Sequence, residues 1–140
     1  MGHLTFDDFR FSRKSRLDMF TATLRAVCHA NDLYYPKLFW ALRQEIGTRR
    51  DVCPHFHFLI AALPEYIDLN GFCRQCRAVW RVRGGGIAKI VTYDRELGGA
   101  GYVGKCSDYE IGPAGDDCEL MFSDAATAYL RRVVKRERGP

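Results

Sequence analysis

The stretch Cys53-Pro54-His55-Phe56-His57-Phe58-Leu59-Ile60 alternates imidazole and phenyl side chains directly after a proline. Side chains along a β-strand point to opposite faces in turn, so His55 and His57 share one face and Phe56 and Phe58 the other. One face is polar and the other apolar, as in a strand of a sheet covered on one side. Two imidazoles about 7 Å apart, at a rise of about 3.3 Å per residue, can lean onto one metal ion if a third ligand arrives from next door.

Upstream, residues 37–46 (Lys37-Leu38-Phe39-Trp40-Ala41-Leu42-Arg43-Gln44-Glu45-Ile46) read as an aromatic-rich strand. Residues 47–54, with a glycine, a polar run and a proline, read as the loop that follows it. Two strands of similar length joined in this way form an antiparallel hairpin. With Glu45 opposite His55, the next rung on the same face sets Arg43 opposite His57, and Glu45, His55 and His57 point the same way. Two imidazoles and a carboxylate suit a divalent cation with open positions for water or substrate oxygens. Taken singly, a strand histidine is most often a satisfied or surface residue and a glutamate an exposed carboxylate. Their convergence on one face is what points to a metal.

The remaining segments supply a scaffold for that hairpin. Leu4-Thr5-Phe6 is a short strand, and Leu17, Phe20, Thr21, Leu24, Val27 and Cys28 recur at helical intervals, predicting a helix over 15–30 that ends at Asn31-Asp32. Residues 65–80 carry mixed signals with moderate helical character. Gly84-Gly85-Gly86 lacks the spacing, lysine and hydroxyl of a phosphate loop, so flexibility or a bulge is its reading. A strand over 87–93 and a closing helix over 123–135 complete the order. The pattern predicts an α+β fold in which a central antiparallel sheet carries the His-x-His strand and helices flank it. The 140 residues fit one domain with a core of its own.

Composition bounds the function loosely. Lys and Arg number 21 against 17 Asp and Glu, a net charge of +4, compatible with nucleic acid but equally with a solvated basic surface. The run Tyr129-Leu130-Arg131-Arg132-Val133-Val134-Lys135-Arg136-Glu137-Arg138 concentrates positive charge, as a solvated helix end or a phosphate contact. No apolar run approaches the roughly 18 residues of a membrane span, and no signal peptide is evident. The expectation is a cytoplasmic protein whose six cysteines are reduced. Cys73-Arg74-Gln75-Cys76 has zinc-ribbon spacing without a matching second pair, so a turn with two thiols is favoured over a zinc site.

Tyr102 follows Gly98-Gly99-Ala100-Gly101 and precedes Lys105 by three residues. On a helix that spacing brings phenol and ammonium to one side, where a cation can balance the charge of an attacking tyrosinate. Leu4-Thr5-Phe6, then Glu45 with His55-Phe56-His57, then Tyr102-Val103-Gly104-Lys105 together resemble, in order and spacing, the HUH endonuclease superfamily. Within it, the single-tyrosine rolling-circle replication initiators are the nearest likeness. The resemblance spans nearly the whole chain, residues 1–140, and departs from many relatives in placing Cys106 after the motif lysine.

The resemblance implies that Glu45, His55 and His57 hold Mg²⁺ or Mn²⁺, that Tyr102 attacks a phosphodiester in single-stranded DNA at an origin hairpin or nick site, and that Lys105 steadies the phosphate or tyrosinate. The products would be a 5′-phosphotyrosine bond and a free 3′-hydroxyl, with strand joining as the reverse step. A separate helicase would unwind DNA, in a bacterial cell or the host of a plasmid or virus. Arg43, Arg49, Arg50, Arg81, Arg83 and Lys89 are candidate contacts for the DNA backbone. Trp40 and Trp80 could stack on bases, although burial is favoured. The competing expectations are a small single-tyrosine transposase of the same superfamily, whose motif more often ends in glutamine, and a non-catalytic nucleic-acid-binding module.

Overall fold

A computed structural model of the chain describes residues 1–7, 10–45, 54–94 and 118–137. Five strands, β1 (Gly2–Phe6), β2 (Phe39–Glu45), β3 (His55–Ala61), β4 (Gly85–Ile90) and β5 (Cys118–Phe122), form one sheet in the order β4-β1-β3-β2-β5. Each neighbouring pair is antiparallel. Among the described residues, three α-helices, α1 (Arg13–Ala30), α2 (Leu69–Val82) and α3 (Asp124–Glu137), accompany the sheet in an α+β fold. Among the described residues no helix is long and apolar enough to cross a membrane.

Alternation decides which face is covered. Leu4 and Phe6 of β1, Trp40 and Leu42 of β2, Phe56 and Phe58 of β3, and Ala88 and Ile90 of β4 join one buried cluster with Phe20, Leu24, Val27 and Cys28 of α1 and Phe72, Cys76 and Trp80 of α2. The Phe20 ring stands edge-on to Phe56, Phe58 and Trp40 at centroid distances of 5.9, 5.2 and 5.4 Å. Both helices therefore seal the phenyl face of β3, which leaves its imidazoles on the other side. Buried aromatics of this size contribute most of the core's apolar area, and their edge-to-face packing fixes the strands laterally.

The helix ends follow from local chemistry. Ser12 caps α1, accepting a hydrogen bond from the Ser15 amide at 3.0 Å, so the helix starts earlier than the predicted residue 15. Thr23 rather than Thr21 is the buried threonine on α1, its hydroxyl donating to the Met19 carbonyl at 2.8 Å. Asp68 caps α2 in the same way through the Asn70 amide. Ser123 ties α3 to the sheet: its hydroxyl accepts from the Ala126 and Trp40 amides, and its own amide donates to the Trp40 carbonyl. Tyr129 of α3 meets the Phe39 ring at 5.8 Å, at the end of β2 remote from Glu45.

Three expectations need adjustment. The strand predicted over 87–93 begins at Gly85 and ends at Ile90, with the register against β1 shifting between Leu4 and Phe6. Gly84 has φ +82°, a conformation glycine adopts without the Cβ penalty, so the glycine triplet ends the α2 turn and enters a bulged strand. Cys73 and Cys76 lie on α2, not in a turn, and with Cys28 they are buried free thiols. Burial pushes the Cys28 and Cys76 thiols up to about 11 and about 12, respectively, so both are protonated at neutral pH and behave as small apolar groups. The strand β5 was not anticipated at all.

Candidate metal centre

The hairpin register is the expected one. Across β2 and β3, Glu45 pairs with His55 and Arg43 with His57. The Glu45 carboxylate touches both imidazoles: Oε2 is 2.9 Å from His55 Nε2, and Oε1 is 3.6 Å from His57 Nε2. Arg43 pairs with the same Oε1 and is only 6% exposed, so among the predicted DNA contacts it sits beneath the carboxylate. The ion pair fixes the position of the Glu45 carboxylate.

The far side of β3 brings in a residue that sequence reasoning missed. His3 of β1 pairs with His57, and Thr5 with His55. The ring centroids lie 4.8 Å apart for His3 and His57, which are stacked at 16°, and 5.0 Å apart for His3 and His55. One ligand atom from each of His3, His55 and His57 lies within 4.8 Å of the other two. The buried His3 Nε2 has no hydrogen-bond partner among the described residues, a costly state for a polar nitrogen unless something else binds it. Alternation along Gly2-His3-Leu4-Thr5-Phe6 could have put His3 on the polar face. What the sequence did not carry was that β1 lies beside β3.

Electrostatics leave His3 and His57 ready to ligate. Burial, followed by the neighbouring His55, Arg43 and His3, pushes His57 down to about 4 against the pull of Glu45. Burial also lowers His3, with His55 and Lys89 adding to the effect. Metal ligation requires the neutral ring with its lone pair, so these two side chains are in the right state at neutral pH. Three imidazoles and a carboxylate, with His3 Nε2 unpartnered among the described residues, fit a divalent cation.

A pH dependence follows for the metal-free protein. His57 has a folded-state pKa below its unfolded value near 6.5. The unfolded chain thus binds the extra proton between those two pH values, and the stability contributed by neutral His57 is complete above about pH 6.5 and lost as pH falls toward 4. The loss at pH 4.5 is on the order of 2 kcal/mol, at about 1.4 kcal/mol per pH unit. Urea unfolding at pH 7.5 and 4.5 reads it, and His57→Gln should flatten the difference. An equal slope in the variant would assign the acid sensitivity elsewhere.

Other predicted site residues are spread around this centre. Lys89 is exposed and pairs with His3 across β1 and β4, on the imidazole face. Arg81 and Arg83 are exposed at the C-terminal end of α2. Trp40 and Trp80 are both buried, 8% and 0% exposed, and belong to the core. Arg49, Arg50, Tyr102 and Lys105 lie outside the described residues. No family model, curated protein or solved structure matches the chain.

Proposed function

We propose that the chain is a metal-dependent enzyme that nicks and rejoins single-stranded DNA through a tyrosine, in the manner of rolling-circle replication initiators. The observation that supports this most is the convergence of Glu45, His55 and His57 on one sheet face in the rung-by-rung register that the chemistry needs. Glu45, His55 and His57 would hold a divalent cation, Mg²⁺ or Mn²⁺ in this reading, which would supply Lewis-acid polarisation of a non-bridging phosphate oxygen. His55 and His57 supply ring nitrogens from one strand, while Arg43 fixes Glu45 against them.

Tyr102 then attacks phosphorus. Its phenolic oxygen forms the new P–O bond as the bond from phosphorus to the 3′-oxygen breaks, the phenol proton is lost, and the departing 3′-oxygen leaves as a hydroxyl. Lys105 balances the charge that develops on the phenolate and the phosphate. The same step reversed by a 3′-hydroxyl rejoins a strand, with no external energy source. β5 begins at Cys118 opposite Glu45, so the chain that follows Tyr102 re-enters the sheet at the edge of the centre. Lys89, beside His3, offers a cation for the substrate backbone, and Arg81, Arg83, Arg49 and Arg50 extend the basic surface. DNA unwinding falls to a separate helicase, and the working location is the cytoplasm, on DNA.

The test mixes the protein with a pool of single-stranded oligonucleotides and Mn²⁺ and looks on a denaturing gel for protein shifted by covalent DNA. The expected result is an adduct that EDTA abolishes. An adduct that persists in chelator removes the metal role from Glu45, His55 and His57. Tight DNA binding without any adduct across the pool would instead favour the non-catalytic binding module.

A further inference from the structure

We infer that His3 is an inner ligand of this centre, and that the centre, with three imidazoles around one carboxylate, selects a late first-row divalent cation such as Co²⁺, Ni²⁺ or Zn²⁺ over Mg²⁺. The inference rests on the metal-centre part of the proposed function but not on the tyrosine chemistry.

Geometry argues for His3 first. β1 and β2 flank β3, so His3 and Glu45 approach the His55–His57 pair from opposite sides. Metal–nitrogen bonds of about 2.1 Å require ligand atoms about 3.0–3.4 Å apart, and the three imidazoles already lie within 4.8 Å of one another. The remaining gap is about 1.8 Å at most. The His3 and His57 rings stack across adjacent strands with centroids 4.8 Å apart, and the buried His3 Nε2 has no hydrogen-bond partner among the described residues, so a bound ion would satisfy it.

Donor chemistry then sets the ion. Mg²⁺ demands oxygen ligands in near-ideal octahedral geometry and gives up its waters reluctantly. This centre offers one carboxylate, already paired with Arg43, and an imidazole majority. Imidazole donors favour the later first-row ions, with affinity rising from Mn²⁺ through Co²⁺ and Ni²⁺. Mn²⁺ is therefore the weakest of the ions expected to bind well, and Mg²⁺ falls below it.

The experiment titrates metal-free, full-length protein separately with Mg²⁺, Mn²⁺, Co²⁺, Ni²⁺ and Zn²⁺ by calorimetry, and counts coupled imidazole nitrogens by pulsed EPR of the Cu²⁺-loaded protein. The expected result is Co²⁺ or Zn²⁺ binding at least about 100-fold tighter than Mg²⁺, with three imidazoles in the wild type and two in His3→Gln, and about 10-fold or greater loss of Co²⁺ affinity in that variant. Mg²⁺ binding as tightly as Co²⁺ overturns the selectivity, and two imidazoles in the wild type overturn His3 as a ligand. Both readings come from the wild type, so they stand even if His3→Gln fails to fold. A selective centre with no DNA adduct would overturn the nicking reaction and leave this inference intact, whereas an adduct formed by a centre indifferent to the ion would do the reverse.

Discussion

Tyr102→Phe is expected to reduce the covalent DNA adduct by about 10³-fold or more, to below detection, while leaving divalent-cation affinity unchanged. The substitution removes one oxygen and little volume. Without that oxygen no P–O bond to the protein can form, however well the phosphate is positioned. The His55 face would still bind metal and DNA, which separates loss of the nucleophile from loss of the site. Of the neighbouring tyrosines, Tyr93 is poorly placed for the role: it lines an apolar pocket with Phe58, Phe72 and Cys73, residues on the helix-covered side of the sheet. Adduct yield on a denaturing gel, with calorimetric Mn²⁺ affinity measured in parallel, decides the matter. An undiminished adduct in Tyr102→Phe would move the nucleophile elsewhere, with Tyr109 the next to replace.

The hairpin was legible because alternation and hairpin pairing point to one face. Period-two alternation assigned His55 and His57 to one face, and an antiparallel hairpin with Glu45 taken opposite His55 puts all three together, which is the register found. Once one rung is set, every other rung follows, since a slip of one residue would bury the imidazoles and expose Phe56 and Phe58. The long stripe on α1 was equally readable, because an 18-residue helix repeats its signal several times.

What escaped was non-local or short. The Cys118-Glu119-Leu120-Met121-Phe122 strand has five residues and ends on three consecutive apolar ones, so alternation has no room to declare itself. It holds its place by pairing with β2, where Met121 packs on the core and Glu119 reaches Arg13 of α1. His3 escaped for a different reason. Its own strand was identified as Leu4-Thr5-Phe6, one residue too late to include it, and the partner that gives it meaning lies more than fifty positions away in β3. The ligand set read from sequence was therefore the set visible within one hairpin. The sheet adds the third strand.

That third strand is held by a residue whose loss gives the second large effect: Trp80→Ala is expected to destabilise the fold by about 3–5 kcal/mol. The indole is fully buried, stands edge-on to Phe6 at 5.2 Å, and donates from Nε1 to the Thr5 carbonyl at 3.1 Å. It lies so close to β4 that a Cβ at Gly85 would fall 2.1 Å from its Nε1, so glycine there is a condition of the packing. Truncation removes the largest fully buried side chain among the described residues, leaves a cavity under β1 and strips the Thr5 carbonyl of its donor. Against a total stability of roughly 5–15 kcal/mol, this is a large share, and a melting temperature lower by about 10 °C or more is expected. Trp80→Phe keeps most of the apolar area and should cost about 1–2 kcal/mol, chiefly the lost hydrogen bond. Because His3 lies two residues from the Thr5 carbonyl on the same strand, saturating metal should recover part of the loss in Trp80→Ala by fixing β1 from its other face. A Trp80→Ala protein that melts like the wild type but binds single-stranded DNA more weakly would mean that the indole stacks on bases after all. Burial at 0% exposure argues for the opposite outcome, in which DNA affinity changes only as far as the folded population does.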